Sequence, residues 1–206
     1  MSAKSSKEDS RSLILQAAFD AFAEKGYDGT SMDDIVQRSG LSKGTLYWHF
    51  TNKHDLFVET LNWGMKGLDE NITAAMQQVD RPVADRLREM FLLATQVFTS
   101  DPRWTRLVAS AFFLSAQSGE ARHVLLDMYE QYIAMVDAAL QQGIERGEFY
   151  PMDTRKVAIA LMAGGDGIAF HSLLNPPWEV APIMEAFIHA VLKGFMKEPP
   201  TDDPNA

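Results

Sequence analysis

With 206 residues, 46% of them apolar, the chain can bury a sizeable core as one domain or two small ones. It has no cysteine, which excludes disulfides and thiolate chemistry, and no uncharged apolar run of about 18 residues, so no membrane span is expected. The net charge of −9 is uneven: residues 1–55 carry 7 Lys+Arg against 8 Asp+Glu, and residues 56–206 carry 12 against 20. Nucleic-acid affinity depends on local phosphate neutralisation, so acid concentrated after residue 55 leaves the first segment free for that role. The Ser- and Lys-rich start shows no signal peptide, and together with the missing cysteines it points to the cytoplasm.

Residues 1–8 are polar and read as a flexible lead-in. Lys4, Lys7 and Arg11 either touch DNA phosphates or a minor groove, or are simply solvated. A first helix is expected over Ser10 to Lys25, with Leu13, Ala17, Phe19, Ala21 and Phe22 at mostly helical spacing and Gly26 as its stop. Tyr27 then meets a phosphate or packs on that helix. Thr30 or Ser31 caps a second helix, where Asp33 and Asp34 suit the positive end of the dipole and Ile35 and Val36 face inward. Arg38, near its end, reaches a phosphate or caps the dipole.

Ser39 to Lys53 reads SGLSKGTLYWHFTNK. Ser42 can cap a third helix, Lys43 to His49, while Gly44 permits a close backbone approach. Leu46 and Phe50, four apart, pack inward, leaving Lys43, Thr45, Tyr47, Trp48 and His49 outward. Two short helices around a glycine turn make a helix-turn-helix whose second member would lie in the DNA major groove. Lys43 can donate to guanine and Thr45 can meet a thymine methyl. Trp48 packs on a sugar or methyl, or wedges between helices. Lys53, at the start of a fourth helix, would help its N-terminus hold a phosphate. His49 beside His54 lacks further ligands at matching spacing, so no metal or other cofactor is expected.

From Ala17 to Leu56 this segment resembles the DNA-binding domain of the TetR (tetracycline-repressor) family. The likeness rests on Phe22, Gly26, Tyr27, Thr30, Ile35, Gly40, Ser42, Gly44, Leu46, Tyr47, His49, Phe50, Lys53 and Leu56 in order and spacing. Val36 and Ser39 stand where the family often has alanine. The resemblance implies backbone contacts from Tyr47 and His49. With it, the expected DNA-facing set is Thr30, Arg38, Ser42, Lys43, Gly44, Thr45, Tyr47, Trp48, His49 and Lys53.

The fourth helix is expected from Asn52 to about Val79, with Leu56, Phe57, Leu61, Met65, Leu68, Ile72 and Met76 as one stripe. Gly64 and Gly67 inside it mark a bend or make room for a neighbour. Helices then follow from Arg81-Pro82 to Thr99, Arg103 to Gln117, Glu120 to Arg146, Thr154 to Leu174 and, past Asn175-Pro176-Pro177, Val180 to Lys197. Residues 198–206 read as a disordered tail. The expected fold is all-α, about nine helices. A three-helix DNA-binding domain (1–55) is joined by a long helix to an all-helical ligand-binding and dimerisation domain (56–197).

Met and aromatic side chains are plentiful after residue 60, and such linings suit lipophilic ligands. The resemblance implies an effector cavity there, with Met65, Met90, Phe91, Phe98, Trp104, Phe112, Met128, Tyr132, Met162, Asp166 and Phe170 as candidates. Each could equally be plain core. Asp166, in a Gly-rich stretch of an apolar helix, must find a partner or a proton. The resemblance also implies a homodimer through the last two helices, with Ala160, Gly164, Ile168, Phe187, Val191 and Phe195 at the seam. The expected function is a repressor of a pseudo-palindromic DNA operator, released by a small lipophilic effector. The acidic residues Asp127, Glu130, Asp137 and Asp166 favour a cationic lipophile; acyl chains and aromatic acids stay open. The alternative is a DNA-binding regulator without a small-molecule effector, whose C-terminal part serves only for dimerisation or protein docking. No nucleophile–base pair, metal cluster or phosphate loop has recognisable spacing, so an enzyme is not expected.

Overall fold

A computed structural model describes residues 2–117, 119–174 and 179–197. Among them are nine α-helices: α1 Ser2–Gly29, α2 Met32–Ser39, α3 Lys43–His49, α4 Lys53–Met76, α5 Val83–Ser100, α6 Pro102–Gln117, α7 Gly119–Glu145, α8 Thr154–Leu174 and α9 Val180–Phe195. No strand occurs among the described residues beyond one isolated antiparallel bridge, Phe149 to Met196. The all-helical expectation holds, with most ends within a few residues. The largest difference is at the start, where α1 is helical from Ser2 rather than from Ser10. It also runs on past Lys25, but Gly26 breaks it with φ 72°, a left-handed value that favours glycine. The expected Asn175-Pro176-Pro177 break and the 198–206 tail lie outside the described residues.

The chain divides into two compact units. The first comprises Met1–Glu70 and Ser100–Met128. In it α1 packs on α2 and α6. Ile14, Leu15, Phe22, Ile35, Leu46, Phe50, Leu56 and Phe57 are fully buried, and Phe22 meets Phe57 edge-on at 5.0 Å. Gly64 gives α4 a bare face on which Trp104 of α6 lies; a Cβ there would sit 1.4 Å from the indole ring. The Trp104 ring also packs on Phe19, with centroids 4.6 Å apart.

The second unit comprises Asn71–Thr99 and Tyr129–Ala206. Here α8 packs on α9, with Phe187 seated over Gly164. Arg86, only 2% exposed, donates to the carbonyl of Met76 at 2.8 Å and to Gln142, so it caps the last residue of α4. After α7 the chain turns at Gly147 (φ 75°) and tucks Phe149 against Gly143. Tyr150 N–H donates to Phe195 O at 2.9 Å and Lys197 N–H donates to Glu148 O at 3.0 Å, stitching this loop to the end of α9.

Candidate nucleic-acid interface

Two caps define the helix pair at residue level. Ser31 caps α2 in a capping box: its hydroxyl accepts from Asp34 N–H at 3.1 Å, and Asp34 accepts from Ser31 N–H at 2.8 Å. Lys25 and Ser31 hold the Asp34 carboxyl far below the usual carboxylate range. The αL residue Gly40 (φ 68°) stops α2, and Ser39 donates to Val36 O at 3.1 Å over the same end. Ser42 then caps α3, accepting from Thr45 N–H at 3.1 Å, with its hydroxyl 2.8 Å from that of Thr45. Leu46 and Phe50 point into the core, so the other face of α3 turns outward. Tyr47 is 46% and Trp48 61% exposed.

Electrostatics on this face are partly self-cancelled. Lys43 pairs with Asp33 at 2.7 Å, which raises the lysine pKa, and Arg38 pairs with Glu24. His49 Nε2 lies 2.9 Å from Ser10 Oγ, which ties the end of α3 to α1. Ser42, Lys43 and Gly44 are exposed and Thr45 is half-buried.

Three expectations need correction. Thr30 does not face outward: it is 2% exposed, its hydroxyl 2.8 Å from Gly26 O and 3.1 Å from Ala21 O. It closes the kink of α1. Lys53 does not offer its ammonium to a phosphate either. It donates to Tyr27 O at 2.8 Å and to Thr30 O at 3.0 Å, and lies 4.4 Å from the centre of the Tyr27 ring. It clamps the α1–α2 connector to the start of α4. Arg11 pairs with Glu59 and stacks over Phe50 at 5.6 Å. Tyr27 takes its packing option, 5.1 Å from Phe57 and 6.0 Å from Phe22.

The residues expected to line an effector cavity divide between the units. Met65, Trp104, Phe112 and Met128 belong to the first, and Met90, Phe91, Phe98, Tyr132, Met162, Asp166 and Phe170 to the second. Several are packed core: Met90 is 2% and Phe91 4% exposed, and Trp104 fills the gap left by Gly64. Asp166 has found a partner, accepting from Tyr129 Oη at 2.8 Å. Burial pushes its carboxyl up to about 6, the tyrosine bond offsetting part of that. Burial and the neighbouring Asp166 push the Tyr129 phenol up as well. Among the expected seam residues, Ala160 is exposed and Ile168, Val191 and Phe195 are half-buried, whereas Gly164 and Phe187 meet within the chain.

Sequence reasoning missed a crevice in the first unit, lined by His54, Phe57, Val58, Leu61, Asn62, Ala111, Leu114, Leu125 and Met128. Only Met128 had been expected at a ligand site. A histidine one residue after Lys53, on the apolar stripe of α4, was the available signal.

A capped helix, a left-handed glycine turn and a second capped helix showing cationic and aromatic groups outward define a helix-turn-helix DNA-binding protein. The chain belongs to the TetR family of bacterial regulatory proteins: residues 14–60 match the model of bacterial regulatory proteins of the tetR family, and residues 83–196 match that of the BetI-type transcriptional repressor, C-terminal. It is 29% identical over 176 residues to the HTH-type transcriptional regulator YfiR of Bacillus subtilis, covering 82% of this chain and 83% of that one. It is 27% identical over 184 residues to the HTH-type transcriptional regulator TtgR of Pseudomonas putida, covering 84% of each. In fold it is similar to the transcriptional regulator FadR of Bacillus subtilis in complex with stearoyl-CoA, with a TM-score of 0.81 at 19% identity over 89% of this chain and 98% of that one. Among the described residues no helix is long and apolar enough to cross a membrane.

Proposed function

We propose that this DNA-binding regulator is a cytoplasmic, ligand-responsive repressor that binds a pseudo-palindromic operator as a homodimer and is released by a small lipophilic effector. Residues 1–55 read DNA; residues 56–197 bind the effector and dimerise. The observation that carries the DNA reading is α3 itself: fixed by the Ser42 cap and the His49–Ser10 tie, it presents Lys43, Tyr47 and Trp48 outward. Repression draws support from the C-terminal family match. A dimer would place two copies of α3 one helical turn of DNA apart, about 34–36 Å, or a multiple of that.

Effector and operator compete if the effector binds the DNA-incompetent state more tightly, a coupling usually of about 1–3 kcal/mol. The Asp166–Tyr129 bond and the raised Asp166 pKa weaken the case for a cation held by that carboxyl. The fold neighbour's stearoyl-CoA makes acyl thioesters a necessary arm of any screen. Tight packing of Met90, Phe91 and Trp104 favours the second reading, a regulator without an effector.

The test is selection of binding sites from random DNA with the purified chain, followed by titration of cationic, acidic, neutral and acyl-thioester lipophiles onto the complex. A palindrome released by one class supports the proposal. A palindrome that none of them releases favours the second reading. No sequence preference at low salt overturns both.

A further inference from the structure

The crevice of the first unit opens among α4, α6 and α7, and its chemistry is uneven. Phe57, Val58, Leu61, Ala111, Leu114, Leu125 and Met128 make the walls apolar. Among the described residues of the lining, His54 and Asn62 are the polar ones and no carboxylate, lysine or arginine joins them. His54 Nε2 is buried and has no hydrogen-bond partner among the described residues. A buried imidazole nitrogen left without a partner costs on the order of 1–3 kcal/mol, so a group that enters the crevice and hydrogen-bonds to it is favoured by that much.

We infer that this crevice binds an uncharged lipophile through one hydroxyl or carbonyl group, hydrogen-bonded to His54 Nε2. The inference rests on the ligand-responsive reading above and names the ligand class for it. An ion is disfavoured because the described lining holds no carboxylate, lysine or arginine, and its desolvation between these apolar walls is left to a single imidazole. The crevice is narrow, about the space of one water molecule, so a ligand must turn side chains aside. Leu114 and Met128, both half-buried, are placed to move, and methionine adapts readily.

Position couples this crevice to the reading helices. His54 follows Lys53, whose ammonium holds the carbonyls of Tyr27 and Thr30. Phe57, one turn on, forms a wall of the crevice and also meets Tyr27 and Phe22. A ligand that wedges the crevice open therefore pushes on the ring that supports the α1–α2 connector. Occupancy and the setting of α2 and α3 are linked through Phe57 and the first turn of α4, with no longer relay needed.

Decanol, decanoate and decyltrimethylammonium share one chain and differ in the head group. Binding of each to the full-length protein is followed by calorimetry and by the side-chain nitrogen NMR signals of His54. Decanol is expected to bind at least tenfold more tightly than either ion and to shift the His54 Nε2 signal. His54→Leu should lose decanol at least tenfold, whereas His54→Gln, which keeps a hydrogen-bonding group at that reach, should retain most of it; thermal unfolding checks that both variants fold. An unshifted His54 signal at saturating decanol, or equal affinity for the ions, overturns the inference and leaves the ligand-responsive reading to other compounds. Decanol bound at His54 without any loss of operator affinity upholds the site and counts against decanol-class release of the operator.

Discussion

Lys43 is well placed on α3 to meet a base edge, yet Asp33 holds its ammonium at 2.7 Å. DNA must compete with that carboxylate. Asp33→Asn should therefore raise operator affinity about two- to fivefold, the scale of an exposed ion pair. Fluorescence anisotropy at low salt measures this, and an unchanged or weaker affinity would argue that Lys43 stays off the DNA. Asp166 offers a second test, in pH. Its carboxyl is pushed from 3.8 up to about 6 in the folded chain. Between those values the folded state keeps a proton that the unfolded chain has released, so stability from this group falls as pH rises through the window. Above about 6 the fold carries a buried carboxylate supported by Tyr129. Asp166→Asn should flatten that part of the profile and raise stability near neutral pH by on the order of 2 kcal/mol. Urea midpoints at about pH 4 and 7.5 read it; a variant that loses stability at both would assign the carboxylate a further partner.

At the scale of helices, Gly64 and Gly67 stand three residues apart on α4 with opposite surroundings. A Cβ at Gly64 meets the Trp104 ring, whereas one at Gly67 meets nothing within 4 Å. Gly64→Ala should cost about 1–3 kcal/mol by displacing a packed indole, and Gly67→Ala should gain about 0.5–1 kcal/mol from helix propensity. Thermal unfolding of the two variants separates them; equal shifts would show that Trp104 swings away freely. The same pair shows what was legible in the chain. Caps, glycine turns and the Leu46–Phe50 spacing are local signals, and they located α2 and α3 directly. That Gly64 makes room for a neighbour was readable, but which aromatic residue takes the place depends on α6, some forty positions away. Trp104 was accordingly expected in a ligand cavity. The crevice stayed hidden for the same reason: His54, Ala111 and Leu125 are brought together by packing alone, and Ala111 and Leu125 read as ordinary stripe or spacer by themselves. Thr30 and Lys53 were picked out as significant but given the wrong direction, because sequence marks a residue as special without saying which way it points.

Across the whole chain, charge is the property that matters for association. Residues 1–55 carry a net charge of −1 and the remainder −8, so any DNA attraction is local and opposed by the bulk. If the proposed dimer neutralises about six phosphates, affinity should fall about a thousandfold between roughly 50 and 200 mM salt. A shallow slope would mean that aromatic and hydroxyl contacts from α3 dominate over cations. The stitch between the loop after α7 and the end of α9 has a consequence of a different kind. Tyr150 is half exposed as a side chain, yet its amide is held by Phe195 O, and the Lys197 amide by Glu148 O. In deuterated buffer these two amides should exchange together and slowly, at the pace at which the last turn of α9 frays rather than that of a surface loop. The stitch thus makes the loop at Tyr150 a reporter of whether α9 is seated.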